Sequence, residues 1–284
     1  MNSVSLAGRH AFITGGARGL GLVMARALAG AGAAVTITAG RSAGELAQAH
    51  AELSRLTGGR AFAVMADVAD PAACAHSVAA AGAALGPVDI LVNNAARGPR
   101  EQPASHDTSL GIDPWALDTG PYAEMLVGNV AGAWFMAREV VPGMVERGFG
   151  RVINISTSKP TMEMAIGGAY GPSKAALEAQ SRAWARHLEG SGVTVNLLLP
   201  GGQTDTDFIA GGRPGERPLI DWPERAGTIE EGRTPGLLPP EVMAAPVVWL
   251  ASEASAGITG KRWVGANWHP ALAPEDAARV AASS

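Results

Sequence analysis

The sequence predicts an α/β fold, a doubly wound parallel sheet with helices on both faces, and three observations carry that prediction. The strand-like runs are short and apolar throughout, which marks strands covered on both faces. Ala-rich helical runs separate them at the spacing of βαβ units. A glycine cluster, "ITGGARGLG" at 13–21, stands where the first strand would turn into the first helix.

Taken in order, residues 10–14 read as a buried strand and 20–30 as a helix closing at Gly30, where a left-handed cap is easy. Residues 34–38 are strand again. Helical "AGELAQAHAELSRL", strand "RAFAVMADV", helix "PAACAHSVAAAGAAL" and strand "VDILVNNA" continue the alternation. The second half repeats it with a helix over 121–146, strand "RVINIS", a helix over 171–189 and strand "VTVNLLL". Residues 202–240 are dense in Gly, Pro and charge, and a loop that long inside a compact domain is functional or disordered. Helix "PEVMAAPVVWLASEA" and strand "KRWVGA" close the sheet. No linker divides the chain, so residues 1–284 are expected to form one domain with insertions at about 97–120 and 202–240.

Composition narrows the function. Hydrophobic residues make up 47% against 17% charged, ample material for a core. A net charge of -4 without a basic run argues against a nucleic-acid surface. The one cysteine, Cys74, allows no intramolecular disulfide, and the opening residues lack a secretory signal, so a cytoplasmic location is expected. No apolar stretch is long enough to suggest a membrane span. The six histidines fall on separate elements without metal-ligand spacing, so no metal site is expected.

In the glycine cluster, Gly15 permits a tight turn, Gly19 a close backbone approach to a pyrophosphate and Gly21 close helix packing, while the helix N-terminus offers N–H groups to phosphates. Plain turn chemistry is the competing reading. The second motif is "NISTSKPTMEMAIGGAYGPSK", in which Pro172 suits a first helical turn and Lys174 follows Tyr170 by one turn on the same face. An ammonium beside a phenol is expected to bring its pKa down toward a range where it exchanges protons. A surface tyrosine with a solvated lysine is the alternative.

Thr14, Gly15, Gly19 and Gly21, with Asp67, "NNA" at 93–95, Asn129, Tyr170 and Lys174, "PG" at 200–201 and "ITGKRW", run in an order that resembles the short-chain dehydrogenase/reductase family. The resemblance covers nearly the whole chain, about residues 6–263, and implies a Rossmann-like domain that interconverts a secondary alcohol and a ketone by hydride transfer. It makes Tyr170 the general acid/base and Lys174 the residue that binds the nicotinamide ribose and lowers the Tyr170 pKa. Asn129 would hold a proton-relaying water, unless it simply ties down backbone. The implied cofactor set is Gly15, Arg18, Gly19, Leu20, Gly21, Arg41, Asp67, Val68, Asn93, Ala95, Tyr170, Lys174, Pro200, Gly201, Gln203 and Thr204, with Asp67 on the adenine amino group and Val68 against its ring. The second strand ends "TITAGRS" with Arg41 and no acid, and Arg18 adds a cation, so NADP is favoured with NAD as the alternative.

Three hydroxyls compete for the role of the family's catalytic serine. The family spacing reaches Thr157, and in an extended strand end Ser156 and Ser158 share one side while Thr157 takes the other. Thr157 is therefore assigned to steady the substrate oxygen, a departure from serine, with Ser158 as runner-up. The two insertions should border the pocket, bringing His106, Asp113 and Trp115 from one and Arg213, Arg217, Trp222 and Arg225 from the other. The tail after Trp263 departs from the family's glycine-rich ending and is a candidate for reaching a neighbouring subunit. A small-molecule substrate and a homo-tetramer or homo-dimer are implied. A nucleotide-binding regulator without turnover, and a dehydratase or epimerase on the same fold, stay open.

Overall fold

The computed structural model describes residues 4–98, 114–163, 168–206, 208 and 237–283. The first half is β1 (His10–Ile13), α1 (Gly19–Gly30), β2 (Ala34–Ala39), α2 (Ala43–Thr57), β3 (Ala61–Met65), α3 (Pro71–Leu85) and β4 (Ile90–Asn93). Then come α4 (Thr119–Leu126), a π-helical turn (Val127–Ala131), α5 (Gly132–Glu146), β5 (Gly150–Ile155), α6 (Lys159–Met162), α7 (Tyr170–His187) and β6 (Val193–Leu199). The chain closes with α8 (Ala244–Ala251), β7 (Arg262–Val264), α9 (Pro274–Ala281) and β8 (Ala282–Ser283).

The described strands form one sheet in the order β3-β2-β1-β4-β5-β6-β7-β8. All neighbouring pairs are parallel except β7 with β8. Strand order reverses at β1, so β1 and β4 part at their carboxyl ends, where open sheets of this kind bind ligands. Two apolar layers cover the sheet. Met24, Leu28, Val247 and Trp249 of α1 and α8 cover one face, and Met136, Val140 and Ala185 of α5 and α7 the other. The central strands β1, β4, β5 and β6 are buried along their whole length, as uniformly apolar runs require.

Several boundaries differ from the sequence reading, each for a local reason. The helix expected over 121–146 is interrupted by the π-helical turn that carries Asn129. The left-handed residue after α1 is Gly32, at φ 101°, while the cap itself is Ala31 in a right-handed conformation. The tail forms α9 and then β8, antiparallel on β7, which places it on the chain's own sheet. Among the described residues no helix is long and apolar enough to cross a membrane.

Candidate active site

Helix α7 sets the geometry. Positions four apart lie one above another on a helix face, so Tyr170, Lys174 and Glu178 form a single stripe, and all three are buried. Helix α7 fixes the end of β5 residue by residue. Asn154 Nδ2 donates to Ser181 Oγ at 2.7 Å, Lys174 Nζ to the Ile155 carbonyl at 2.7 Å, and Ser156 Oγ to Glu178 Oε1 at 2.8 Å. Arg262 Nη2 donates to the Thr157 carbonyl at 3.0 Å.

The three hydroxyls thus have different employment. Ser156 is buried on Glu178. Ser158 caps α6, accepting from the Thr161 N–H, and shares a 2.7 Å hydrogen bond with Thr161 Oγ1. Thr157 has its hydroxyl toward the Tyr170 phenol, whose pKa it draws down, and is the partly accessible one of the three. Close packing behind α7 keeps the phenol in place. A Cβ on Gly171 would collide with the Met162 carbonyl, so only glycine lets α6 lie against this helix.

Electrostatics at the pair run opposite to the sequence expectation. Burial pushes the Tyr170 phenol up to about 12, with the Thr157 hydrogen bond pulling the other way. Burial also lowers Lys174 to about 8. Lys174 Nζ stands 5.9 Å from the Tyr170 ring centroid and is bonded to the Ile155 carbonyl, so desolvation outweighs any pull from the ammonium. The phenol is held in its protonated form across the neutral range.

Asn129 is buried in the π-helical turn, a distortion common at functional sites. Its side chain is committed to protein: Oδ1 accepts from the Arg97 N–H at 2.8 Å, and Nδ2 donates to the Arg97 carbonyl and to Ser173 Oγ, each at 3.0 Å. Two of these bonds hold the Arg97 backbone. Asn93 turns beneath the sheet end and donates to Asn154 Oδ1 at 2.8 Å. Its own Oδ1 is buried without a partner among the described residues, and the residue lines a small cavity with Thr14, Asn129, Lys174 and Leu177.

The glycine loop is braced by a residue the sequence reading passed over within "NNA". Asn94 Nδ2 donates to the carbonyls of Thr14 and Gly15, while Thr14 Oγ1 accepts from the N–H groups of Asn94 and Ala95. Gly15 and Gly19 adopt φ of 62° and 53°. A Cβ on Gly21 would meet the Gly15 carbonyl and Asn94 Nδ2, so the helix packs directly beneath the loop. Arg18, extended at the N-cap of α1, gives no side-chain cap to the first turn at Gly19, Leu20 and Gly21.

Charged side chains surround the outer rim. Arg41 is exposed two residues beyond β2. Arg18 meets Glu45, an acid in the first turn of α2 beyond the strand end, at 3.5 Å. Asp67 Oδ1 accepts from the Ala69 N–H, and its Oδ2 lies 3.8 Å from Arg97, which also pairs with Glu124 at 3.1 Å. The Val68 carbonyl and side chain rest on Gly132, where a Cβ would stand 2.8 Å from that carbonyl.

Past β6, Pro200 accepts from the Ala266 N–H, Gly201 lies against Val264, and the Gln203 carbonyl accepts from Leu238. Thr204 is bridged to Leu238, and Thr206 sits 3.6 Å from where a Gly19 Cβ would be. Phe208 tilts over Tyr170 with ring centroids 5.5 Å apart. Trp115 is 93% exposed. His106, Asp113, Arg213, Arg217, Trp222 and Arg225 lie outside the described residues.

The profile of the short chain dehydrogenase family matches residues 9–216. A 2-dehydro-3-deoxy-L-rhamnonate dehydrogenase (NAD(+)) of Sphingomonas is 32% identical over 194 residues, 68% of this chain and 72% of its own. Among solved structures, a dehydrogenase/reductase from Sinorhizobium meliloti superposes with a TM-score of 0.74 at 32% identity, covering 93% of this chain and 97% of the other. The RhlG/NADP active-site complex of Pseudomonas aeruginosa does so with a TM-score of 0.70 at 30% identity, covering 92% and 96%. With an eight-stranded, largely parallel sheet and these relatives, the chain belongs to the short-chain dehydrogenase family, whose general chemistry is NAD(P)-dependent oxidoreduction.

Proposed function

We propose that this protein interconverts a secondary alcohol and a ketone, with NADP as the favoured nicotinamide cofactor. The observation that carries the reading is the Thr157 hydroxyl acting on the buried Tyr170 phenol, with Lys174 one turn deeper on the same helix. A phenol kept protonated by burial is the form that donates to a ketone oxygen. Thr157 steadies that oxygen beside the phenol, and Lys174, which holds the β5 end through Ile155, would bind the cofactor ribose. A bound nicotinamide would supply or accept the hydride.

The cofactor's fit rests on the glycine loop. Gly15 and Gly19 take positive φ, and Gly21 admits no Cβ, so α1 would present its uncapped N-terminus to a pyrophosphate. Asp67 and Val68 would take the adenine, with Asn93, Ala95, Pro200, Gly201, Gln203 and Thr204 along the rest of the groove. Arg41 and Arg18 favour a 2'-phosphate. The Arg18–Glu45 pair is 60% and 39% exposed at its side chains, and an ion pair that exposed rearranges at little cost.

Incubating the protein and NADPH with cyclic, sugar and aromatic ketones while following cofactor absorbance tests the reading. NADPH consumption with at least one ketone is the expected result. Tight NADPH binding with no consumption across the panel would favour the regulator, and substrate conversion without net cofactor oxidation a dehydratase or epimerase. We further infer a homo-oligomer built on the helices around Asn129 and Tyr170, since Trp134 and Val145 on α5 are 44% and 40% exposed. Light scattering would report its mass, and a monomer would refute it.

A further inference from the structure

We infer that Arg262 and Glu178 are a positioning pair: Arg262, anchored on Glu178, holds the Thr157 peptide and so aims the Thr157 hydroxyl at Tyr170. The inference rests on the reading that Thr157 and Tyr170 handle the substrate oxygen. Both charged residues are nearly inaccessible, at 6% and 5% exposure. Arg262 comes from the last parallel strand, far along the chain from the candidate site, yet its guanidinium fork reaches three ways. Nε donates to Glu178 Oε1 at 3.1 Å, Nη2 to the Thr157 carbonyl at 3.0 Å and Nη1 to Ser283 Oγ at 2.8 Å. Glu178 in turn accepts from Ser156 at 2.8 Å and meets Arg182 at 3.4 Å.

A buried ion pair is a poor route to stability, because desolvation offsets much of the attraction. Its use here follows from where the sheet stops. The Ser156 N–H still donates to the Leu198 carbonyl, but β5 ends at Ile155 and α6 starts only after the Ser158 cap. Thr157 is thus the joint between two elements, and the Arg262 fork holds its carbonyl. A planar fork with fixed donor directions can do this, whereas a lysine presents one point charge and cannot reach Glu178, Thr157 and Ser283 together.

The test uses the full chain with NADPH and the fastest ketone of the panel. Arg262→Met combined with Glu178→Gln removes both buried charges together, so neither is left unpaired. We expect NADPH affinity to stay within about twofold while kcat falls about tenfold or more and the KM for NADPH holds. A substrate-free readout comes from the 2 tyrosines of the chain. With tyrosine carbon-13 labelled at Cζ and Tyr122→Phe used for assignment, the Tyr170 resonance of the double variant should move toward its position in Thr157→Val. A folded double variant with unchanged resonance and kcat would overturn the inference. Should that variant not fold, Arg262→Lys carries the test: a displaced resonance and a kcat lowered about threefold or more support positioning, and wild-type values overturn it. Full turnover in Tyr170→Phe would instead sink the functional reading, leaving the resonance to judge the positioning by itself.

Discussion

The two ends of the candidate groove are built on opposite principles. At the Tyr170 end, consecutive residues of the β5 terminus are each held by a buried partner: Asn154 by Ser181, Ile155 by Lys174, Ser156 by Glu178 and Thr157 by Arg262. At the adenine end, Arg18 and Glu45 are 60% and 39% exposed in their ion pair, and Asp67 is 51% exposed beside Arg97. Buried groups there would have to be paired in one geometry, whereas exposed charges can re-pair with a ligand or with salt. Under the proposed function, the contrast makes chemistry a matter of fixed position and cofactor choice a matter of adjustable charge. Substitutions at the first end should act on kcat, and at the second on affinity.

The strongest way to break this contrast is Tyr170→Phe. Loss of the proton donor should lower turnover by about 10²- to 10⁴-fold in steady-state assays while the NADPH dissociation constant, read by fluorescence titration, stays put. A matching loss of affinity would merge the two regions. Gly21→Ala comes next and acts between them. Its methyl would meet the Gly15 carbonyl and Asn94 Nδ2, so thermal unfolding should show a loss of about 1–3 kcal/mol together with weaker NADPH binding. An unchanged melting temperature and affinity would show that the loop is looser than its contacts imply.

Lys174→Met sharpens the account of burial. The folded protein holds Lys174 near 8 against an ordinary 10.5, so between those values the unfolded chain carries more protons and wild-type stability rises with pH. Below about pH 8 the buried charge is fully opposed to folding. The methionine variant should therefore unfold at higher temperature than wild type at pH 7, with the gap closing toward pH 10, and should lose turnover. A lower melting temperature at pH 7 would mean that the bond to Ile155 outweighs desolvation. The smallest effect is expected from Arg41→Ala, which should reduce the NADPH-over-NADH preference by about tenfold or less at low salt and less still at high salt. Unchanged preference would remove Arg41 from the recognition of the 2'-phosphate.

The reach of sequence reasoning follows the same divide. The βα order, the glycine loop and the Tyr170–Lys174 stripe were legible because each is a local pattern, with a period or a fixed spacing. Glu178 extends that stripe by one more turn and could have been found by continuing it. Arg262 could not, since its approach to Thr157 depends on β7 lying beside β6. The direction of the Tyr170 shift was misread for a related reason: the nearby lysine is visible in sequence, but complete burial is a property of packing. Asn94 was hidden inside a motif whose flanking residues took the attention, and Arg97 precedes an insertion without any pattern of its own. The tail's return to the sheet was not legible because β8, the strand it forms on β7, is only two residues long.

The central claim is that Thr157, and not either neighbouring serine, works with Tyr170. Measuring kcat for Thr157→Val and Ser158→Ala side by side tests it most directly. The account predicts a fall of about a hundredfold for Thr157→Val with NADPH affinity retained, and for Ser158→Ala a loss of about 1 kcal/mol of stability from the α6 cap with turnover nearly intact. Near-normal turnover in Thr157→Val together with its loss in Ser158→Ala would contradict the account and move the assignment by one residue.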